Sequence, residues 1–447
     1  MVVAALSSFL APFMSSSVNI ALPAIGREFS LDTVLLGWIA TAYLLAAAML
    51  LVPFGKIADM HGRKRVFTYG IGLYTLASLL CALSPTPLLL IGSRILQGIG
   101  STMIFGTGVA ILTSVFPPGE RGRVLGMNVA ATYTGLSLGP FVGGFLTQSL
   151  GWRSLFLANV PLGLIVIALV FWKLKGEWIG AAGERFDWIG SAIYSISLVM
   201  AMYGLSLLPD PAGAWVVLAG VAGIVAFVWW ETKVESPVLN MYLFGSNRVF
   251  AFSNLAALVN YSATFAIGFL LSLYLQYIQG LSPQSAGLVL VSQPVMMAVF
   301  SPLAGRLSDS IESQTLASAG MGIMVVSLLL LALLGPATPL GFVVACQVLL
   351  GFGYALFSSP NVNAVMGSVE QRFFGVASAT LGTMRLIGQM FSMGVATLIL
   401  ALIVGKVQIT PEHYGAFLTS LKTTFVLFAV LCFGGVFASL ARGKARA

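Results

Sequence analysis

Long apolar stretches alternate with short polar loops along the whole chain of 447 residues. Fourteen of these stretches are long enough to cross roughly 30 Å of hydrocarbon as a helix. They cover approximately residues 3–25, 35–54, 66–84, 88–116, 124–147, 154–172, 188–207, 214–231, 250–278, 286–304, 315–335, 339–366, 375–405 and 421–441. The pattern predicts an all-α integral membrane protein with fourteen transmembrane helices. An even number of crossings puts both chain ends on one side of the membrane.

The composition supports a membrane protein. Only 8% of the residues are charged and 58% are hydrophobic, whereas a soluble protein has about a quarter charged residues. The net charge of +8 comes from basic residues that stand singly or in short loops, so nucleic-acid binding is not expected. The three cysteines lie inside apolar stretches without metal-ligand spacing, and the sequence has no phosphate-binding loop motif. No metal, no cofactor and no hydrolysis of ATP are therefore expected.

The basic residues also predict the topology. The loop 55–65, with the sequence GKIADMHGRKR, contains four Lys or Arg residues, and such residues collect on the cytoplasmic side of a membrane. If this loop is cytoplasmic, sixteen Lys and Arg residues fall on the inner side and four on the outer side, while Arg94 and Arg385 lie within helices. This bias predicts a multi-pass protein of the plasma (inner) membrane with both termini in the cytoplasm.

An internal repeat divides the chain. Segments 53–59 and 302–309 share the order proline, glycine, basic residue, aspartate, and segments 123–126 and 372–375 share Arg-x-x-Gly. About 250 residues separate the members of each pair. Two six-helix bundles related by a pseudo-twofold repeat are therefore predicted at 1–172 and 249–447, with 173–248 as a linker that contains two extra helices. Paired bundles are typical of transporters that rock about a central site.

Two motifs of the first half resemble those of the major facilitator superfamily. The loop Gly55-x-Ile-Ala-Asp59-x-x-Gly62-Arg63-Lys is similar to the family motif between its second and third helices. The segment 94–100, Arg-Ile-Leu-Gln-Gly-Ile-Gly, is similar to the motif of its fourth helix. The order and the spacing of both motifs agree with the family.

Three further segments narrow the resemblance. Residues 135–144, GLSLGPFVGG, resemble the fifth-helix motif of antiporters, which occurs mainly in exporters. Residues 152–163 and 274–287 resemble the fourteen-span branch of drug:proton antiporters. The resemblance implies a secondary active transporter that exports amphipathic small molecules, as in multidrug efflux, by rocker-switch alternating access, with the proton as the candidate coupling ion. A protein of this kind is expected to work as a monomer in the bilayer.

The resemblance also implies a gate at the loop motif. Asp59 is predicted to lie near the start of the thirteenth helix, at 374–376, where the helix dipole favours an anion, with Glu120 pairing with Arg63 or Arg65. The alternative for Asp59 is a solvated carboxylate, and Met60 replaces the cation that usually follows this aspartate in the family. The predicted gating residues of this region are Gly55, Asp59, Gly62, Arg63, Glu120 and Arg121.

The glycines of the fifth helix form a second candidate gate. Gly135, Gly139 and Gly143 recur on nearly one face, and Pro140 adds a kink by removing a backbone hydrogen bond. One interpretation is an ordinary close helix contact between small residues. The other is a surface on which one bundle pivots or seals against its partner, and the two interpretations are compatible.

The two cations within the membrane indicate a wet or hydrogen-bonded setting, because a charge at mid-membrane costs roughly 2.5–3.5 kcal/mol. Arg94 has the alternative of a hydrogen-bonded strut between helices, whereas Arg385 is predicted to face a central cavity, with Gln389 one turn away. Each other polar residue of the set has the alternative of joining helices. The predicted substrate-binding residues are Asn19, Arg94, Gln97, Asn260, Tyr261, Gln276, Gln293, Asn361, Arg385 and Gln389.

The fourteen carboxylates of the chain all lie in loops or at helix ends. Met14 stands where the drug antiporters usually have an acidic residue in the first helix. Fixed cations without a buried anion favour an anionic, zwitterionic or neutral amphiphile over a lipophilic cation. The coupling ion stays open, and the proton-carrying candidates are Asp59, Glu120, Glu28 and Asp32.

Export is one of several functions that a chain of this kind could have. Within transport, the alternatives are an uptake or facilitative carrier for an organic anion and a lipid flippase of the same fold. An enzyme would need clustered His, Asp or Cys at membrane depth, but both histidines lie in loops. A receptor would need large extramembrane segments, and these loops are short. Neither an enzyme nor a receptor is therefore expected.

Overall fold

The computed structural model describes residues 2–116, 118–174, 176–180, 185–234, 236–239, 241–308, 310–370 and 374–443. This described part is helical and contains no β-strand. Its helices are α1 Val2–Glu28, α2 Thr33–His61, α3 Arg63–Ala82, α4 Pro87–Val115, α5 Pro118–Leu150, α6 Arg153–Lys173, α7 Trp188–Leu207, α8 Pro211–Glu231, α9 Met241–Ser246, α10 Arg248–Thr264, α11 Ile267–Leu273, α12 Pro283–Leu290, α13 Ser292–Leu307, α14 Ser313–Leu331, α15 Leu340–Gly367, α16 Phe374–Ile403 and α17 Tyr414–Ala441. A π-helical turn, Tyr274–Ile278, follows α11, and a 3₁₀ turn, Pro411–His413, precedes α17.

These helices make fourteen crossings in the described part of the chain, which confirms the predicted fold class. Thirteen helical segments are apolar and long enough to span a membrane. In this set α10, α11 and the π-helical turn form one crossing, Arg248–Ile278, and α12 with α13 forms another, Pro283–Leu307. The fourteenth crossing is α5, which has 33 residues and begins with a polar turn. Because hydrocarbon offers the backbone no hydrogen-bond partners, such long apolar segments must be helical.

Side chains in the loops cap the first turns of several helices. Asp32 accepts hydrogen bonds from the backbone N–H groups of Val34 and Leu35, both at 2.8 Å, and thereby caps α2. Pairs of a capping residue and a proline begin α4, α8 and α12. Capping satisfies the first N–H groups of a helix, and a proline loses no bond there. The capping residues of the loops therefore fix where these four helices start.

Two bundles and one inserted pair of helices make up the molecule. In the first bundle, α1–α6, α1 lies along α5 and α4 packs against α2 and α3. In the second bundle, α10–α17, α15 packs between α13 and α14, and α17 packs against α10 and α14. The membrane side that carries both chain ends is called the terminal side below, and the other is called the opposite side.

The inserted pair, α7 and α8, covers a seam between the bundles. The hydroxyl of Tyr194 donates to the carbonyl of Ala48 in α2 at 2.9 Å, and Ser195 Oγ donates to Met49 O at 2.9 Å. On the other side of the seam, Met202 packs against Gly394 of α16. Helix α8 packs against α7, and most of its surface faces away from the protein. Helix α7 is therefore in contact with both bundles at once.

Candidate functional site

The two bundles meet on the opposite side of the membrane through two pairs of helices joined by hydrogen bonds. Between α1 and α11, Ser272 Oγ donates to Asn19 O at 2.6 Å, and Gln276 Nε2 donates to Ile20 O at 2.9 Å. Between α2 and the segment after α16, Thr33 Oγ1 donates to Gly405 O at 2.7 Å. A further hydrogen bond between the bundles, Tyr133 Oη with Ser358 Oγ, lies nearer the middle of the membrane. The bundles are therefore closed on the opposite side in this structure.

Helices α5 and α12 form a third junction through bare backbone. A Cβ atom on Gly287 would overlap the carbonyl oxygen of Pro140, and a Cβ on Gly144 would lie 2.5 Å from the carbonyl oxygen of Pro283. Contacts this close exclude any side chain at either glycine. The kinked part of α5 thus seals against the second bundle.

The predicted glycine face of α5 has a different partner. A Cβ on Gly135 would lie 2.5 Å from the carbonyl oxygen of Phe9, and one on Gly143 would lie 2.9 Å from Ser17 Cα. Gly139 lies equally close to Ser16. All three glycines therefore pack against α1 within the first bundle, while Pro140 and Gly144 face the second bundle. The structure places both kinds of contact on one helix.

Arg385 lies near the middle of α16 at the junction of the bundles. Its guanidinium carbon is 5.1 Å from the centroid of the Tyr261 ring, and the rings of Tyr261 and Tyr354 meet edge to face at 5.7 Å. Tyr133 of the first bundle lies near the same guanidinium. The side chain is half-buried, and its Nε has no hydrogen-bond partner among the described residues. This group of three tyrosines around Arg385 is called the tyrosine cage below.

The tyrosine cage is built by both bundles. Tyr261 is on α10 and Tyr354 is on α15, whereas Tyr133 on α5 reaches across to Ser358 Oγ of α15 at 3.1 Å. Gly388, one turn beyond Arg385, lets α16 approach α10, because its Cβ would lie 2.6 Å from the carbonyl oxygen of Leu258. An arginine over aromatic rings keeps its N–H groups available to an anion. The cage can therefore hold an anionic or polar aromatic group between the bundles.

Arg94 has a different setting, although it is also a cation within the membrane. Only 1% of its surface is exposed, and all of its contacts lie inside the first bundle. Its Nε donates to Ile39 O at 3.1 Å, another nitrogen donates to Gln97 Oε1, and the guanidinium lies 4.4 Å from the centroid of the Tyr43 ring. Gln97 Nε2 in turn donates to Ser78 Oγ at 2.8 Å. The geometry is that of a strut which joins α4 to α2 and α3.

The structure brings together only part of the predicted substrate-binding set. Tyr261, Arg385 and Gln389 lie at the junction, and the described residues offer the Gln389 side chain no hydrogen-bond partner. Asn19 and Gln276 lie in the closed contact between α1 and the π-helical turn. The described side-chain contacts of Arg94, Gln97, Asn260 and Asn361 lie inside a bundle, and Gln293 lies on α13.

Three of these residues support the second bundle. Asn260 is fully buried beside Met324 of α14, with its Nδ2 3.5 Å from the sulfur. The backbone carbonyl of Gln293 borders Gly351 of α15. Asn361 Oδ1 accepts from Arg442 at 3.2 Å near the terminal side.

Arg442 follows the last apolar stretch of the sequence, where a basic residue is expected to be solvated, but it is 2% exposed and fixes the end of α17. It donates to Ser439 O at 2.9 Å and to Ser253 Oγ of α10 at 3.3 Å. Burial lowers the pKa of Arg442 to about 10. Its position just after a long apolar helix gave no indication of burial, because its partners come from α10 and α15.

Tyr133 and Tyr354 are the cage residues that sequence patterns do not single out. Tyr133 looked like one of many aromatic wall residues, and Tyr354 had no distinguishing neighbour in the sequence. Aromatic residues at helical spacing are common in cores, so composition alone gives no signal. Only the approach of α5, α10, α15 and α16 shows that they surround one cation.

The loop motif forms a compact polar cluster on the terminal side. Asp59 is 39% exposed and accepts from Arg63 Nε at 2.7 Å. Arg63 also donates to Ser114 Oγ of α4 at 2.7 Å. No described contact joins Asp59 to residues 374–376. The side chains of Glu120 and Arg121 lie outside the described residues, and Arg65 lies 3.7 Å from Glu177.

The chain that follows α6 docks onto this cluster. Gly180 N donates to Asp59 O at 2.9 Å, and Arg63 N donates to Trp178 O at 3.0 Å. Glu177 Oε1 accepts from Lys64 N at 2.7 Å at the first turn of α3. Gly62 has φ of 114° and no room for a Cβ beside Glu177, which explains why glycine is needed at this turn. Gly55 has open space around it.

Replacing Asp59 by Asn is expected to slow transport turnover several-fold while substrate affinity stays nearly unchanged. The amide can still accept from Arg63, but it loses the charge-assisted part of the bond, roughly 1 kcal/mol. The measurement is a set of initial rates over substrate concentration in proteoliposomes. Glu177→Gln, in the segment that docks onto the same turn, is the matched control. Unaltered turnover in Asp59→Asn would favour the solvated carboxylate.

Two helical bundles, closed on one membrane side and sharing a caged cation at their junction, define a polytopic membrane transporter. The chain belongs to the Major Facilitator Superfamily, whose family model matches residues 4–230 and 254–446. The described fold and the family agree with the resemblance found in the sequence at this level.

Individual relatives cover nearly the whole chain. It is 29% identical over 441 residues to the riboflavin transporter RibZ of Clostridioides difficile, covering 98% of this chain and 95% of that protein. It is 31% identical over 442 residues to the cephamycin export protein CmcT of Amycolatopsis lactamdurans, covering 96% of this chain and 91% of that protein. Among solved structures, an inward-facing bacterial homolog of the human lysosomal transporter Spinster has a TM-score of 0.68 at 15% identity, covering 100% of this chain and 96% of that one. That likeness concerns the fold.

Proposed function

We propose that this transporter is a secondary active exporter of amphipathic small molecules, driven by protons and working by alternating access. The observation that carries the proposal is the tyrosine cage, where Arg385 keeps an unpaired Nε at the junction of the bundles. A substrate bound there would touch both bundles, so its binding and release would depend on which side is open. Export is supported by the antiporter-like segment of α5 and by the relative named as a cephamycin export protein.

The charge of the cage favours anionic, zwitterionic or neutral substrates. Arg94 donates its described hydrogen bonds to acceptors inside its own bundle, whereas Arg385 is the described cation that lies within the cage. Its neighbours there are the tyrosines of the cage. A lipophilic cation would meet repulsion there, whereas an anionic or aromatic polar group would gain charge-assisted hydrogen bonds.

In an alternating-access cycle, this structure would be the state in which the opposite side is closed. With the termini in the cytoplasm, as the basic residues predict, the contacts at Ser272, Thr33 and Gly287 close the outer side. The outward-open state would break these contacts and bring the terminal-side ends together, near Asp59. The gate residues Gly55, Asp59, Gly62 and Arg63 would act in that state, with Glu120 and Arg121 as their proposed partners.

The second candidate is a carrier that takes up an organic anion, and the relative named as a riboflavin transporter favours it. Direction of flux separates the two candidates. Proteoliposomes of known orientation are loaded with riboflavin, fluorescein or the cation ethidium, and pH and voltage gradients are imposed separately. We expect fluorescein flux toward the outer face, accelerated by a pH gradient that is acidic outside.

Ethidium is expected to move much more slowly than fluorescein in the same vesicles. Flux of riboflavin only toward the inner face would support the uptake carrier instead. Flux that responds to voltage but not to the pH gradient would remove proton coupling from the proposal.

A further inference from the structure

The inserted helices carry two carboxylates that face each other at their terminal-side ends. Asp187 caps α7, and its Oδ1 accepts from Gly190 N at 2.9 Å. Glu231 is the last residue of α8 and is only 3% exposed. A Cβ on Gly190 would overlap Asp187 Oδ2 and would lie 2.7 Å from Glu231 Oε1. Asp187 Oδ2 and Glu231 Oε1 therefore both lie next to Gly190.

Two donors reach oxygens of this pair. Trp230 Nε1 donates to Asp187 Oδ2 at 2.9 Å, and Leu239 N donates to Glu231 Oε2 at 2.8 Å. Glu231 Oε1 is buried and has no donor among the described residues, and the buried Ser191 Oγ in the first turn of α7 has no described partner either. Ionised carboxylates only accept hydrogen bonds, and a buried acceptor without a donor is destabilising. A proton on one carboxylate would supply the missing donor.

No described cation balances the pair. Around it lie the first turns of α7, the last turn of α8 and the segment 236–239, and the titratable groups that face it from these elements are the two acids themselves. Arg185 and Lys233 are exposed and form no described ion pair with either acid. Tyr194, two turns into α7, donates to Ala48 O. Two adjacent carboxylates in such a setting do not both ionise near neutral pH.

We propose that Asp187 and Glu231 form a proton-binding site in which one proton is shared between Asp187 Oδ2 and Glu231 Oε1. Binding makes one O–H bond at either oxygen and one hydrogen bond to the other, and it breaks no other bond. The proton comes from water on the terminal side, since Asp187 is only partly buried. The site lies outside the junction of the bundles, and it does not depend on the substrate or on the direction of transport.

Loss of this proton has a defined structural consequence. Two negative charges between the ends of α7 and α8 repel each other and loosen the pair. Helix α7 contacts α2 through Tyr194 and α16 through Met202. Loosening of the α7–α8 pair would therefore weaken the contacts of α7 with both bundles. Deprotonation on the terminal side is thereby linked to the position of the two bundles.

Infrared spectroscopy of the full chain in lipid nanodiscs tests the site directly. Difference spectra between acidic and alkaline pH are expected to show the C=O stretch of a protonated carboxylic acid, and this band shifts in D₂O. The band is expected to disappear in both Glu231→Gln and Asp187→Asn. It is expected to persist in Asp210→Asn, the matched control, because Asp210 caps α8 at its other end. A band that is absent from the wild type, or unchanged in both variants, would overturn the proposal.

Thermal unfolding gives a second readout that covers variants of reduced stability. As pH rises through neutrality, the melting temperature of the wild type is expected to fall by about 2–4 °C more than that of Glu231→Gln. The sign follows because the folded pair binds a proton more tightly than the unfolded chain does. Asn can still cap α7, so Asp187→Asn repeats the test if Glu231→Gln does not fold. Stabilisation of the wild type by added Ca²⁺ at alkaline pH, lost in both variants, would instead make this a cation site.

Discussion

Arg385→Ala is expected to weaken the binding of an anionic substrate about 10- to 100-fold, since a hydrogen bond to a charged group contributes roughly 1.5–3 kcal/mol. The Nε of Arg385 has no partner among the described residues, so loss of this nitrogen leaves no acceptor unsatisfied, and the main contact that the protein gives up is the one with the Tyr261 ring. The folded protein should therefore lose little stability. Fluorescein binding and melting temperature of the purified protein measure the two quantities separately.

Two matched variants make this prediction specific. Arg385→Lys keeps the charge but not the planar group that stacks on Tyr261, so it should retain part of the affinity. Arg94→Ala should behave in the opposite way, because it leaves the buried Gln97 Oε1 without its donor and removes the contacts with Ile39 O and the Tyr43 ring. A buried acceptor left without a donor costs roughly 1–3 kcal/mol. We expect a lower melting temperature for Arg94→Ala and unchanged affinity in the protein that remains folded.

Unchanged fluorescein affinity in Arg385→Ala would remove Arg385 from the substrate site. Equal losses of stability in Arg385→Ala and Arg94→Ala would mean that both arginines are struts. Either result would also weaken the proposed preference for anions, because Arg385 is the cation of the described cage.

The crossings could be predicted from the sequence because each apolar stretch is long enough to span the membrane. Such a stretch must be helical there, since unpaired backbone N–H and C=O groups are costly in hydrocarbon. The interruption of the ninth crossing could not be predicted, since the π-helical turn Tyr274–Ile278 has no sequence signal. Glu231 shows the same limit. The sequence places it at a helix end, where a carboxylate is usually solvated, and only the packing of α7 against α8 buries it.

The two membrane arginines show why the site was harder to predict than the fold. Arg94 has a glutamine three residues later, and Arg385 has one four residues later, so local patterns treat them alike. Their difference comes from tertiary neighbours. Ile39 of α2 offers Arg94 a carbonyl oxygen, whereas α10 and α15 surround Arg385 with rings. The proposed gate residues face the same limit, because they would act in a state that is closed on the terminal side.

The second large effect is expected at Gly287, where the two bundles touch through their backbones. A side chain there would overlap the carbonyl oxygen of Pro140, which a rigid helix cannot move aside. Overpacking of this kind costs roughly 1–3 kcal/mol. Because α5 and α12 separate when the opposite side opens, Gly287→Val should raise the energy of the closed state alone. The ratio of open to closed molecules should rise about tenfold or more.

Spin labels at Leu150 and Leu333 can measure that ratio, because both residues are exposed on the opposite side and belong to different bundles. We expect longer distances in Gly287→Val than in the wild type, together with nearly complete loss of transport. Gly139→Val is the matched control. Gly139 presses against Ser16 within the first bundle, so its replacement should lower the melting temperature without lengthening the measured distance.

Unchanged distances in Gly287→Val would show that the α5–α12 contact does not separate during the cycle. The expected difference between Gly287 and Gly139 follows from where each glycine finds its neighbour. Gly135, Gly139 and Gly143 lie against α1, whereas Pro140 and Gly144 meet the second bundle. We expect the contact with α1 to persist through the cycle and the contact with the second bundle to open. One face of this short segment of α5 would then pack against α1 within the first bundle. The other face would pack against α12 and close the opposite side.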